Sequence, residues 1–248
     1  MTKGFLYVVF GKDYLIPFKT SAKYLKRVSN LPLAVVTNLK ELTKEEVPEV
    51  DIITYVDMDT DRNRVVRTRA IDYTPFDQTL MTDSDSVPIS KRVNNLFSGL
   101  DTHDFGLQVV REYTTDISRI YGQALYKTGT TTPLTAYSGG IMLFNKSERC
   151  GRMFDKWHEY WKLTGEGRDM PSLACAVKNT PDITHFTITH CIDRDIEPDT
   201  IIFHAYGEHD KTIMPTFIKN KPFDNRDDLW TRIPVIENLL LTCDPLEI

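Results

Sequence analysis

Residues Phe5-Leu6-Tyr7-Val8-Val9-Phe10 form a continuous apolar run that ends at Gly11. A short apolar run closed by a turn residue predicts a strand buried on both faces. Leu15, Phe18, Ala22 and Leu25 follow at helical spacing, with Asp13 as candidate cap and Pro17 tolerated in the first turn. Residues 33–37 and 52–56 predict two further strands, residues 62–73 a helix, and residues 79–82 a fourth strand. Strands that alternate with helices predict βαβ units and an α/β fold around a mainly parallel sheet. Ligands of such sheets bind beyond the carboxyl ends of the strands. Gly11, Asn38, Asp57 and Asp83 all fall there.

The second half has a different texture. Val93, Leu96, Phe97 and Leu100 predict a short helix, residues 105–113 a strand with mixed faces, and residues 128–133 a polar loop. Ser138-Gly139-Gly140 opens an apolar strand over residues 141–144. Cys150, Met153, Phe154, Trp157 and Trp161 share one stripe of an amphipathic helix capped by Ser147, and the stripe reads as core, not as a cofactor contact. Gly165-Glu166-Gly167 leads to Asp169 and a helix with Pro171 near its start, and residues 186–191 and 201–204 read as strands. No internal repeat, low-complexity tract or linker is visible.

Composition narrows the function. A chain of 248 residues is long enough for a substantial core, and its 41% hydrophobic and 26% charged residues are ordinary for a soluble globular protein. The net charge of −5 argues against broad electrostatic binding to nucleic acid or anionic membrane, leaving a local basic groove open. No apolar stretch is long enough to span a bilayer, and Met1-Thr2-Lys3-Gly4 lacks the pattern of a signal peptide. Cys150, Cys175, Cys191 and Cys243 include no C-x-x-C pair and read as reduced, mostly buried thiols. A cytoplasmic protein is the expectation.

The densest chemistry lies in Leu80-Met81-Thr82-Asp83-Ser84-Asp85-Ser86-Val87. At strand spacing Asp83 and Asp85 share a face. Two adjacent carboxylates repel unless a cation lies between them. A hard divalent ion with oxygen ligands does that, and it also holds a diphosphate. The alternative is a solvated Asp/Ser turn at the end of a strand.

The ordered set of motifs resembles the GT-A glycosyltransferases, closest to their glycogenin-like and galactosyltransferase-like (family 8-type) group. The resemblance runs over residues 5–211. It is carried by Val8-Val9-Phe10-Gly11, Pro75-Phe76-Asp77, the Asp83-Ser84-Asp85 DxD motif, the segment from Tyr137-Ser138-Gly139-Gly140 to Asn145, Arg168-Asp169-Met170-Pro171, and Phe203-His204-Ala205-Tyr206-Gly207. It implies a GT-A fold, with a Rossmann-like sheet flanked by helices. One catalytic domain would cover residues 1–248, with a nucleotide-sugar-binding half over 1–87 and a site-completing half over 88–248. It implies that Asp83, Asp85 and His204 hold Mn²⁺ or Mg²⁺, the imidazole favouring Mn²⁺. Phe10, Gly11, Tyr14, Arg67, Ser84, Gly139, Gly140 and Lys211 would bind the donor, with Arg64 the alternative to Arg67. Asp169 would lie beside the sugar hydroxyls. The donor would be a nucleotide-diphosphate sugar, foremost a UDP-sugar, with transfer in retention. The acceptor would be a glycan, lipid-linked saccharide, protein or modified nucleic acid. Two positions depart from the family pattern: its late lysine falls on Asp210, with Lys211 one place later, and Met170 replaces a glutamine.

Each of these residues also has an ordinary structural role open to it. His204 is otherwise a strand-end histidine, Arg67 and Lys211 solvated cations, Gly139 and Gly140 a strand-entry turn, Tyr14 core packing of the first helix, and Asp169 a helix cap. Other readings of the chain also stand. In a haloacid-dehalogenase-type phosphatase, Asp83 would be a nucleophile and Asp227-Asp228 a late acidic pair; three strands before Asp83 count against it. A sugar nucleotidyltransferase would need a richer loop than Gly11-Lys12-Asp13, and a GT-A shell that only binds is the third.

Overall fold

The structure, a computed structural model, describes residues 1–58, 63–189, 191–193 and 200–204. β1 (Lys3–Val9) leads through a 3₁₀ turn (Lys12–Tyr14) into α1 (Leu15–Val28), β2 (Leu33–Thr37) and β3 (Ile52–Tyr55). Two one-turn helices, α2 (Arg64–Arg67) and α3 (Ala70–Tyr73), precede β4 (Gln78–Thr82) and β5 (Ser86–Pro88). A 3₁₀ segment (Lys91–Asp101), β6 (Phe105–Tyr113), α4 (Arg119–Thr128), β7 (Leu134–Asn145), α5 (Glu148–Leu163) and α6 (Met170–Lys178) follow. The last described strands are β8 (His185–Thr187), β9 (Cys191–Asp193) and β10 (Ile202–His204).

Seven strands form one sheet in the order β3-β2-β1-β4-β7-β6-β8, and β5, β10 and β9 form a second. In the large sheet β3–β2, β2–β1, β1–β4 and β6–β8 are parallel, while β7 runs antiparallel to β4 and β6. The sheet is thus mainly parallel and flanked by helices, as expected.

β1 explains why its sequence is a continuous apolar run. Alternate side chains leave opposite faces of a strand. Phe5, Tyr7 and Val9 pack with Phe18, Ala22 and Leu25 of α1, whereas Leu6 and Val8 pack with Val66, Met142 and Trp157 on the other face. Each fully buried side chain of this size contributes about 1.5–3 kcal/mol.

Several elements differ from expectation. The helix expected over 62–73 is broken at Thr68 and Arg69. The Thr68 hydroxyl bonds Arg64 O at 2.8 Å, and Arg69 turns out of the helical region with φ −130° and ψ 25°. Such local hydroxyl bonds compete with helix continuation. Asp13 lies inside the 3₁₀ turn and does not cap α1, whose cap position is Tyr14. Gly139 and Gly140 lie within β7 and do not open it, because pairing with β6 continues back to Leu134. α4 takes up the start of the expected 128–133 loop. The strand expected over 186–191 is two strands, β8 and β9, in different sheets. Ser147 caps α5 as expected, accepting from Cys150 N at 3.2 Å. Cys150 and Cys175 are buried free thiols. Among the described residues, no helix is long and apolar enough to cross a membrane.

Candidate active site

β4 ends at the centre of the large sheet, and the chain then turns directly into the second one. Asp83 N donates to Gly140 O at 2.9 Å, and Asp83 O accepts from Ser86 N at 3.0 Å. Asp83 and Asp85 therefore occupy a tight turn, not a continuous strand. β5 then pairs with β10, which sets Ser86 opposite His204. That register brings His204 Nε2 to 3.1 Å from Asp85 Oδ1 across 119 positions of sequence. Ligand atoms of Asp83, Asp85 and His204 all lie within 4.8 Å of one another.

The charges are strongly coupled. Burial pushes the Asp83 carboxyl up, against the pull of Arg67. Burial also pushes Asp85 upward, but the charge and hydrogen bond of His204 outweigh it and hold Asp85 below the ordinary carboxylate value. Burial works to lower His204, and the Asp85 charge and hydrogen bond turn the balance upward. Two carboxylates and an imidazole this close could hold a divalent cation.

Arg67 bridges this turn to α6. Only 7% exposed, it puts Nη1 2.7 Å from Asp83 Oδ1 and Nε 3.6 Å from Asp169 Oδ2. Arg64 Nε lies 3.6 Å from Asp169 Oδ1, and the Arg64 side chain is 43% exposed. Asp169 is 5% exposed at the cap position of α6, yet its carboxylate makes no cap bond because it faces the two arginines. Arg67 Nη2 and Asp169 Oδ2 are buried without a hydrogen-bond partner among the described residues. Leaving such atoms unpaired costs roughly 1–3 kcal/mol each, more when charged.

Both atoms face Gly139. A Cβ added there would stand 3.3 Å from Asp169 Oδ2 and 3.5 Å from Arg67 Nη2. A Cβ on Gly140 would stand 3.0 Å from Asp83 Oδ2 and 3.4 Å from His204 Cε1. The glycine pair is thus the floor of the site, Gly140 under the acidic cluster and Gly139 under the Arg67–Asp169 pair.

Ser84 is buried between the two aspartates. Gly11 turns the chain after β1 with φ 81°, a conformation that favours glycine. Phe10 is fully buried in the core, so its ring is not available to a ligand. Tyr14 is 37% exposed on the 3₁₀ turn, not packed in the core of α1. Lys211, Ala205-Tyr206-Gly207, Asp227 and Asp228 lie outside the described residues. Sequence reasoning missed the role of two tryptophans. Trp157 Nε1 donates to Asp169 O and Trp161 Nε1 to Gly167 O, both at 3.1 Å. An indole on a core stripe needs a buried acceptor, and that requirement was the available signal.

No family model matches the sequence, and no curated protein matches it in a sequence comparison. Solved structures do match. The galactosyltransferase LgtC, in complex with donor and acceptor sugar analogs, superposes with a TM-score of 0.59 at 11% identity, over 96% of this chain and 95% of that one. The glycosyltransferase GlyE of Streptococcus pneumoniae TIGR4 gives 0.58 at 14% identity, over 98% of this chain and 64% of that one. Mouse xyloside xylosyltransferase 1, in its apo form, gives 0.54 at 12% identity, over 82% of this chain and 97% of that one.

The chain has the GT-A fold. In this GT-A architecture the Asp83-Ser84-Asp85 turn lies at the carboxyl end of β4, where the sheet meets the second, three-stranded one.

Proposed function

We propose that this chain is a metal-dependent glycosyltransferase that moves a sugar from a nucleoside-diphosphate donor, foremost a UDP-sugar, to an acceptor hydroxyl. The observation that carries the reading is the pairing of two sites on adjacent glycines. One is an acidic cluster with an imidazole, suited to a cation and a diphosphate. The other is a buried guanidinium and carboxylate, each with an unpaired polar atom over Gly139. A sugar hydroxyl satisfies both unpaired atoms, accepting from Arg67 Nη2 and donating to Asp169 Oδ2.

Asp83, Asp85 and His204 would hold Mn²⁺ or Mg²⁺, which when bound supplies positive charge to the diphosphate leaving group. Arg67 pairs with Asp83 and orients the sugar together with Asp169. Gly11, Tyr14 and Ser84 line the donor side, and Lys211 belongs to the same assignment by resemblance. Transfer breaks the bond from the anomeric carbon to the diphosphate oxygen and forms one to the acceptor oxygen. The acceptor proton leaves with the diphosphate. We assign residues 1–87 to donor binding and 88–248 to completing the site. The acceptor class is a glycan, lipid-linked saccharide, protein or modified nucleic acid.

The test is a panel of nucleotide-sugars with Mn²⁺, scored for released nucleoside diphosphate, with and without candidate acceptors. Release from at least one donor is expected. Release of inorganic phosphate alone would make the protein a phosphatase instead.

A further inference from the structure

α5 stands behind the site, and two adjacent residues on it reach both halves of the Arg67–Asp169 pair. α2 is a single turn, far shorter than a helix that is stable alone. The direction of Arg67 therefore depends on what anchors the ends of that turn. At its C-terminal end Thr68 is fully buried, with its hydroxyl 2.8 Å from Arg64 O and 2.7 Å from His158 Nδ1. A hydroxyl has one proton. Donating it to the Arg64 carbonyl leaves the Thr68 oxygen to accept from His158 Nδ1–H.

The preceding residue, Trp157, is fully buried and donates its indole N–H to Asp169 O at 3.1 Å. The same carbonyl accepts from Ser172 Oγ at 2.8 Å and Leu173 N at 2.9 Å. Three donors on one carbonyl fix the backbone of Asp169 against α5. With Thr68 tied to the same helix, Arg67 Nε and Asp169 Oδ2 stand 3.6 Å apart, beyond hydrogen-bond distance. Each group so held keeps capacity for a ligand instead of spending it on the other.

We infer that Trp157 and His158 are positioning residues, which set the separation of the Arg67 guanidinium and the Asp169 carboxylate across Gly139 through the Thr68 hydroxyl and the Asp169 backbone. The effect on turnover rests on the glycosyl-transfer reading, whereas the effect on Arg67 itself does not. Sites held to sub-ångström geometry by such backing lose roughly up to a hundredfold in rate on a 1 Å misplacement.

Three variants test it. His158→Phe keeps a ring beside Trp161, which now lies 5.8 Å away between centroids, and removes Nδ1. Trp157→Phe keeps a buried ring and removes the N–H. Thr68→Val removes the same contact as His158→Phe from the other side, and so guards against a variant that fails to fold. Each is expected to lower turnover roughly ten- to a hundredfold with nucleotide-sugar KM little changed. Effects are expected to be non-additive for His158→Phe with Arg67→Lys, and for Trp157→Phe with Asp169→Asn. Independently of activity, the ¹⁵N NMR signal of Arg67 Nε–H, assigned by its loss in Arg67→Lys, is expected to shift in all three variants. It is expected to stay unchanged in Glu159→Gln, an exposed position on α5. Additive cycles, or an Arg67 signal identical to wild type in the folded variants, overturn the inference. A wild-type chain that turns over no donor removes the glycosyl-transfer reading, and the Arg67 signal then decides the positioning by itself.

Discussion

Arg67 binds Asp83 with one guanidinium nitrogen and turns the others toward Asp169: Nη1 stands 2.7 Å from Asp83 Oδ1, while Nε stands 3.6 Å from Asp169 Oδ2. One cation thus joins the acidic turn to the carboxylate at the start of α6. In Arg67→Lys the single ammonium cannot serve both sides, because lysine lacks the planar fork. Turnover is expected to fall on the order of 10²–10³-fold, as when a charge-stabilising contact is lost. Steady-state kinetics with the best donor from the panel checks this; near-normal kcat would confine Arg67 to a structural ion pair.

Metal dependence is the outcome expected if Asp83, Asp85 and His204 hold a cation. EDTA is expected to abolish transfer, and Mn²⁺ to restore it at least as well as Mg²⁺. Asp85→Asn is nearly isosteric but weakens the cation site and the contact to His204 at 3.1 Å. It is expected to lower turnover by ~10²–10³-fold with the fold intact by circular dichroism. Full activity in chelator would make the cluster a plain ion-paired turn.

The two floor glycines give separate tests of the proposed metal and sugar subsites. Gly140→Ala brings a Cβ to 3.0 Å from Asp83 Oδ2, so it should weaken Mn²⁺ binding measured by calorimetry. Gly139→Ala brings a Cβ to 3.3 Å from Asp169 Oδ2, so it should raise the KM for nucleotide-sugar and leave Mn²⁺ affinity unchanged. Equal effects of both substitutions on the metal would merge the two subsites into one.

These relationships were only partly legible in the sequence. The apolar run over 5–10 announced a strand buried on both faces, and the i, i+2 carboxylates marked a candidate cation site. Their convergence, however, comes from a turn and from β5–β10 pairing, and pairing between strands far apart in sequence leaves no local pattern. The direction of Arg67 was equally hidden, because periodicity cannot reveal that a threonine breaks the helix one residue later. α4 did carry a signal. Tyr121, Ala124 and Leu125 have helical spacing and are buried, but Gly122 and polar flanks obscured it.

Away from the site, Asp104 links β6 to β8 and gives a pH test. Its Oδ2 accepts from Thr184 N and Oγ1 at 2.9 Å each and from Arg149 Nη1 at 3.2 Å. Burial opposes ionisation, but the Thr184 and Arg149 contacts prevail and hold the carboxyl below its ordinary value of 3.8. A depressed folded pKa contributes stability that is present above 3.8 and lost as pH falls through the folded value. Asp104→Asn is therefore expected to cost about 1–3 kcal/mol at neutral pH. That difference should shrink in urea titrations below pH 3.8. A pH-independent difference would assign the cost to packing.

The last prediction is stereochemical. Inversion requires a general base placed for the acceptor hydroxyl. Among the described residues, the carboxylate beside Gly139 is Asp169. Its Oδ1 and Oδ2 each lie 3.6 Å from an arginine, Arg64 and Arg67 respectively. Both oxygens are thus turned toward guanidinium groups, an arrangement that suits Asp169 to holding a sugar hydroxyl in the proposed reaction. Retention is the expected outcome, read from the anomeric coupling in the NMR spectrum of the product. Asp169→Asn should strongly lower transfer while nucleotide binding is largely kept, because the substitution leaves the acidic turn intact. An inverted product would make Asp169 the leading base candidate. Loss of nucleotide binding in Asp169→Asn would instead trace its role to holding Arg67, and through Arg67 to Asp83.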